Sequence, residues 1–320
     1  MSIVKTNIVT EFGAYYVNQG QNMESLKDEI RQPAVTPGYA ELNITENDIY
    51  RFSNTFMGEI VQQFQKAFTP KGDLTFEPNE IRLRNLKIDL ALYPDDVKAS
   101  YLGFLAGKEK ADRKDWPIVR YIIEKKIIPQ LKHDMETRAY FTGSWVAPTA
   151  GTAGSAIGTI DGVKKLLDAG LAETNLTKQM HAVTLSAAPG VNNSFAMLEE
   201  FSDNIDELLA ATPTTIYCSV KRVKAFLRDK RNKYGDNINY DANKLTIDFD
   251  SNKKIVGLPS MGNSDYIWAT PDFNFLYLRK SGGQSDPKVE EALRQVFLML
   301  DWWEGIGFGA NPLVYCYKPA

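Results

Sequence analysis

The chain has 320 residues, 43% hydrophobic and 24% charged, a globular composition with enough apolar material for a large core and length for roughly two domains. A formal net charge of -3, from 37 basic and 40 acidic residues, excludes a global field that selects nucleic acid or an anionic membrane; any such contact has to be local. Two cysteines, Cys218 and Cys316, exclude a disulfide framework and lack a CxxC partner for zinc, so they read as reduced core thiols in a cytosolic setting.

Residues 1–45 mix short apolar clusters with Gln, Asn, Gly and two prolines and show no sustained period. They read as an extended arm, and "MSIVKTNIVTEFGAYY" lacks the unbroken apolar stretch of a secretory leader. In 46–70, Thr45 and Asp48 fit a capping box, and Ile49, Phe52, Phe56, Ile60 and Phe64 recur every three or four residues. That spacing predicts a helix. In 71–94, Ile81 and Leu83 alternate with Arg82 and Arg84, and then the apolar phase slips to Leu86, Ile88, Leu90 and Leu92. A long strand with a bulge or a change of face near Asn85 follows, paired with Leu74–Phe76 as an extended β-hairpin. A lone hairpin is marginal in water, so this one is expected to project and lie on another subunit. Its candidate inter-subunit contacts are Leu74, Phe76, Ile81, Arg82, Leu83, Arg84, Leu86, Lys87 and Ile88.

Within 95–144, Asp115 as N-cap, Pro117 in the first turn, a stripe through Val119, Ile122, Ile123 and Ile127, and Gly143 as the stop predict a long helix, kinked at Pro129. From 145 to 282 a Gly/Thr-rich connector leads to a short helix closed by Gly170, a second with Met197, Leu198, Phe201, Ile205, Leu208 and Leu209 on one face, and then strand, helix and strands. In 283–320, "DPKVEEALRQVFLML" has helix-start chemistry at Asp286 and helical spacing at Val289, Leu293, Val296 and Leu300. "VFLML" with the paired tryptophans also reads as a buried strand, turning at Glu304 to Asn311 into a closing hairpin. Asp301, Glu304 and the glycines after them divide this aromatic end, far short of the roughly 20 apolar residues that a span needs. A membrane protein is excluded. Helices and strands do not alternate regularly, so the fold class is α+β.

No catalytic, cofactor-binding or metal-binding residues emerge. "GTAGSAIGTIDGVKK" misses the phosphate-loop spacing, with Val163 where the lysine must stand. His133 and His181 are too few for a His-rich metal site, and His133, beside Asp134 and Glu136, is expected to be exposed. "SNKK" from Ser251 has SxxK spacing without the accompanying motifs. Neither cysteine carries a nucleophile signature. Lys221, Arg222, Lys224, Arg228, Lys230, Arg231 and Lys233 form a basic strip that could touch phosphates, but Val220, Val223, Phe226 and Leu227 make an amphipathic surface helix the plainer reading. Trp302, Trp303, Phe308, Tyr315 and Tyr317 read as core or subunit interface.

The order of these parts resembles the major capsid proteins of tailed bacteriophages, the Hong Kong 97-type shell fold. The last third carries it most specifically: "TTIYCSVKRVKAFLRDKRNKYGD", "KIVGLPSM", "YIWATPDFNFLYLRK" and "FLMLDWWEGIGFGANPLVYCYKP". The resemblance implies an N-terminal arm, an extended loop at Leu74–Leu92, a spine helix at Asp115–Phe141 in a peripheral domain, an axial domain over about Pro213–Lys280, and C-terminal strands returning to the peripheral domain. It implies a non-enzymatic subunit without cofactors, located in the virion and assembled in the host bacterial cytoplasm. Its partners would be itself, as pentamers and hexamers of an icosahedral shell, packaged double-stranded DNA, and scaffolding, portal and decoration proteins. Some members join Lys and Asn side chains between subunits; Lys71, Lys87 and Asn311 are the candidates here, but no acidic catalyst is placed for the reaction. The alternatives are a nanocompartment shell of the same fold storing protein cargo and, in another class, a hydrolase or transferase with a site at residues 149–162.

Overall fold

The computed structural model describes residues 35–93, 121–190, 192–209, 211–234, 245–248, 250–282, 288–292 and 295–319. A 3-10 turn, Thr36–Tyr39, is followed by strands β1 (Glu41–Thr45), β2 (Ile49–Met57), β3 (Leu74–Arg82) and β4 (Arg84–Leu92). β2 and β3 form a two-stranded antiparallel ribbon, in register from Ile49↔Arg82 to Met57↔Leu74. Residues 46–70 are therefore not a helix. A spacing of four residues, as from Phe52 to Phe56, is close to one helical turn and is also a multiple of the strand period. The partner decides: Tyr50 and Phe52 pack against Ile81, Leu83, Leu276 and Leu278 in one cluster.

The hairpin is displaced accordingly. Leu74–Phe76 does not fold back on 81–92; β3 runs unbroken to Arg82, and β4 leaves it at Leu83 to pair with the C-terminal strand β12 (Gln295–Phe308), from Leu92↔Val296 to Arg84↔Glu304. The phase slip seen in the sequence has this change of partner as its cause. Ile81 and Leu83 point into the hairpin-root cluster, while Leu86 points into the main core.

The chain is helical from Tyr121 to Ala139, with α1 (Ile128–Asp134) between two π segments, Ile123–Ile127 and Met135–Ala139. Asp115, Pro117 and Val119 lie outside the described residues. Pro129 stands in the first turn of α1, so its missing N–H falls where the π register gives way to the α register. The Gly143 N–H donates to the Ala139 carbonyl at 3.0 Å. A Cβ on Gly143 would lie 2.3 Å from that oxygen, and one on Gly162 would lie 2.6 Å from the carbonyls of Ala139 and Phe141. These two glycines also bond each other, Gly162 N–H to Gly143 carbonyl at 3.0 Å, and close the Gly/Thr segment at its base. What reads in sequence as a flexible connector is a loop pinned at both ends, exposed from Val146 to Ser155.

Next come α2 (Val163–Ala172), β5 (His181–Ala182), α3 (Ser194–Asp203), β6 (Thr214–Ser219), α4 (Val220–Tyr234), β7 (Thr246–Ile247), β8 (Asp250–Leu258), β9 (Ile267–Pro271), β10 (Phe275–Lys280), β11 (Lys288–Ala292), β12 and β13 (Tyr315–Tyr317). Gly170 does not close α2 but lies inside it, because the Met180 sulfur occupies the space of a Cβ, 2.5 Å away. Lys288–Ala292 is a strand, antiparallel to β12, where Asp286 and the spacing that follows it predict a helix. Sheet pairing overrides that local signal. The expected closing hairpin does not form either: β12 runs to Phe308, and the chain then crosses to a second sheet, where β13 pairs with β9.

One sheet has the order β1-β10-β12-β11 with β4 also on β12; the other has the order β5-β13-β9-β6-β8-β7. The six-stranded sheet is buried on both faces, and alternate residues go to opposite sides. Ile216, Cys218, Ile255, Ile267 and Tyr315 meet Phe195, Leu198, Phe201 and Phe226 of α3 and α4. Tyr217, Leu258, Trp268 and Cys316 meet Tyr140, Phe141, Leu167 and Phe308. Both thiols are free, and burial pushes each up to about 12, which makes them inert packing groups. No helix among the described residues is long and apolar enough to cross a membrane, and no group of three acidic, His or Cys side chains among them could hold a metal.

Candidate inter-subunit site

The β2–β3 ribbon is rooted on its own subunit and free at its far end. Cross-strand partners share a face, so Tyr50 with Ile81, Phe52 with Asn79, and Asn54 with Glu77 line the side toward the body. Tyr50, Phe52 and Ile81 are apolar and enter the root cluster. The polar side chains of this face act as clips: Asn79 Nδ2 donates to the carbonyls of Phe308 (3.2 Å) and Gly309 (3.0 Å), and Asn54 Nδ2 to that of Gly309 (3.0 Å). Glu77 pairs with Lys178 at 3.2 Å, and Asp48 at the entry pairs with Lys280. Beneath the root, a Cβ on Gly305 would lie 2.7 Å from the Arg82 carbonyl, and one on Gly307 would lie 2.7 Å from the Ile81 side chain. The bare backbone of β12 lets β3 cross directly over it, and that crossing sets the direction in which the ribbon leaves.

Beyond the clips, no described residue of the same subunit covers the ribbon. The outer face carries Arg51, Glu80 and Arg82 near the root, paired at 3.7 and 2.6 Å. Toward the tip it turns apolar, with Met57 62%, Leu74 48% and Phe76 64% exposed. Among the described residues the loop at 58–73 is bound only to itself, through Gly58 N–H to the Asp73 carbonyl (3.1 Å), Gln62 to the Thr69 carbonyl (2.7 Å) and Lys71 to Glu59 (2.9 Å). It presents Ile60, Val61, Phe64 and Phe68, the last two 93% and 95% exposed. Among the described residues neither strand has a second neighbour, which leaves both ribbon edges unpaired there.

The nine candidate contacts therefore divide. Leu74 and Phe76 stand on the free surface. Ile81, Leu83 and Leu86 are buried in the chain's own core, so they leave the set of accessible contacts. Arg82 is exposed but joined to Glu80. Arg84 lies 3.8 Å over the Trp145 ring and 3.4 Å from Asp161, fastening β4 to the base of the Gly/Thr loop. Lys87 pairs with Asp89 at 2.5 Å, and Ile88 is half-buried. Asn311 donates to the Lys178 carbonyl at 3.0 Å. Sequence reasoning missed Met57, Ile60, Val61, Phe64 and Phe68, having placed all five on a helix within 46–70. The signal for β2 was present in "IYRFSNTFM", where bulky and polar residues alternate and few good helix formers occur.

A second feature ties the arm to the body. Glu136, which sits among solvent-type charges in the sequence, is buried, while His133 is exposed. Its carboxylate accepts from the Thr36 N–H (3.1 Å), the Thr36 hydroxyl (2.7 Å) and the Ser260 N–H (3.2 Å). Beyond this latch, β1 joins the sheet parallel to β10. Phe308 and Tyr315 are core, and Trp302, Trp303 and Tyr317 are half-buried.

No protein-family model and no curated protein matches the sequence. Solved structures do match the fold. A chain of the satellite phage P4 procapsid including size determination (Sid) protein superposes with a TM-score of 0.57 at 13% identity, covering 98% of each chain. The capsid of a native GTA particle gives 0.56 at 11% identity, over 88% of this chain and 89% of that one. Microbacterium phage Oxtober96 gives 0.50 at 10% identity, over 90% and 92%. The chain has the Hong Kong 97-type shell fold of phage capsid proteins. In this shell fold the extended ribbon is Ile49–Arg82, not 71–94, and the strand β4 after it belongs to the body. The Gly/Thr loop lies on the surface, exposed from Val146 to Ser155.

Proposed function

We propose that the chain is the structural subunit of a closed icosahedral shell, assembling with its own copies into pentamers and hexamers and enclosing double-stranded DNA in a virion. The observation that carries this reading is the bare apolar tip of the ribbon, with Phe64 and Phe68 more than nine-tenths exposed, on a chain with the capsid shell fold. Fully burying a phenylalanine contributes about 1.5–3 kcal/mol. A tip carrying Met57, Ile60, Val61, Phe64, Phe68 and Phe76 is stabilised when a neighbouring subunit covers it. In this reading Ile49–Arg82 overlaps the neighbour, the helix Tyr121–Ala139 is the spine, and the six-stranded sheet with α3 and α4 forms the axial part. The net charge of -3 suits a container that holds DNA without gripping it.

Size-exclusion chromatography and electron microscopy of the purified chain test the proposal. Closed particles are expected, and the Phe64→Ser/Phe68→Ser variant is expected to remain as small oligomers with an unchanged circular dichroism melt. A wild-type chain that persists as a monomer overturns the shell reading. Particles that hold protein cargo and no nuclease-protected DNA assign the same shell to a nanocompartment.

A further inference from the structure

α4 carries seven cations, and the structure divides them into two sets. Arg222 is buried, donating to the Gly190 carbonyl at 2.5 Å, to the Ser194 hydroxyl at 3.1 Å and to Asp265 at 2.5 Å. Lys230 pairs with Asp248 at 2.6 Å, and Lys233 lies 3.7 Å from Glu199 and over the Phe195 ring. Asp229, the acid of the helix, is turned inward: it accepts from the N–H groups of Ser194 (2.6 Å) and Phe195 (3.4 Å) at the start of α3. Lys221, Lys224, Arg228 and Arg231 are left exposed, with no ion pair among the described residues. At about 100° per residue these four fall within about 80° of one another, on the side away from Val223 and Phe226. They rise about 15 Å along the axis, close to the axial span of five successive phosphates on one DNA strand, four steps of about 3.4 Å.

We infer that Lys221, Lys224, Arg228 and Arg231 form a sequence-independent contact stripe for the phosphate backbone of duplex DNA. The inference rests on the DNA-enclosing reading above and assigns the face of the subunit that meets the contents. The chemistry of the stripe selects its partner. Its side chains offer charge with little apolar surface, and exposed ion pairs with an acidic protein contribute about 0–1 kcal/mol each. A polyphosphate gains instead by releasing condensed counterions at each neutralised phosphate, which a purely cationic line exploits without any packing.

The test is fluorescence anisotropy of the full chain with a labelled random-sequence duplex, titrated between about 50 and 200 mM salt. Four contacts at a slope of about -0.9 each predict an affinity loss of about 150-fold over that range. The Lys221→Gln/Lys224→Gln/Arg228→Gln/Arg231→Gln variant is expected to lose a slope of about 3 to 4 with an unchanged circular dichroism spectrum. Arg228→Lys/Arg231→Lys keeps the charge and is expected to keep the slope. An unchanged slope in the quadruple variant overturns the inference. So does a poly-glutamate of equal charge that binds as tightly and is lost in the same variant, since the stripe would then be an acidic-protein site. Particle formation is scored separately by microscopy. Shells without a slope change refute the stripe alone, and a slope change without shells refutes the shell reading alone.

Discussion

Glu304 and Glu136 are both buried carboxylates, yet their surroundings set them apart. Glu136 has three donors on it. Glu304 receives the Tyr277 hydroxyl at 2.7 Å on one oxygen, while the other has no hydrogen-bond partner among the described residues. Burial raises the Glu304 pKa, and the opposing effects of the Tyr277 hydroxyl and nearby Arg279 do not cancel it. A carboxyl raised on folding favours the native state below its unfolded pKa, and this contribution is lost as the pH rises toward the folded value. Glu304→Gln is therefore expected to gain on the wild type as pH rises from about 5 to 8. Thermal melts across that range check it, and parallel melting curves would refute it. Glu136→Ala strands buried donors of Thr36 and Ser260, at about 1–3 kcal/mol for each group left unpaired. Urea denaturation should show a loss of that order, with Glu136→Gln intermediate. Neither residue was legible beforehand, because a glutamate within a charged or aromatic run has no sequence mark of being buried.

Among the elements, those with one dominant signal were readable. "TTIYCS" and "YIWATP" are β-rich runs bounded by turn residues and form β6 and β9. β2 and β11 were ambiguous, since each also carries helical spacing or capping residues that lose to cross-strand pairing. β3 meets β2 across the 58–73 loop, and β12 meets β11 on a path misjudged in the sequence, so local propensity could not decide between the two states. The glycines of β12 follow from that pairing. Gly305→Ala places a methyl 2.7 Å from the Arg82 carbonyl and is expected to cost about 1–3 kcal/mol while shifting the root of the ribbon. Gly154→Ala, in open space on the Gly/Thr loop, is expected to stay within about 0.5 kcal/mol. Chemical denaturation of the two variants separates close approach from glycine content as the cause; equal losses would sink the argument.

For the whole molecule, the ribbon tip is the part that depends on other copies. In the free subunit the amides of 59–72 are expected to exchange within seconds, since among the described residues the tip is bonded only to itself, and to become protected in assembled particles. Hydrogen exchange of the two states reads this directly. Tip amides equally fast in particles and in free subunits would place the subunit contacts elsewhere.

The order and chemistry of the parts were available from the amino-acid sequence alone: an α+β chain, a long helix ended by Gly143, inert cysteines, an amphipathic basic helix and a family resemblance spread over the whole length. These are local properties, or sums of local properties. Only the tertiary structure decided which segment is the projecting ribbon, which of the nine candidate residues face outward, and which cations of α4 are left over after the body has paired the rest. Each of those depends on a strand or side chain distant in sequence, and a period of four residues satisfies a helix and a strand equally until that partner is present.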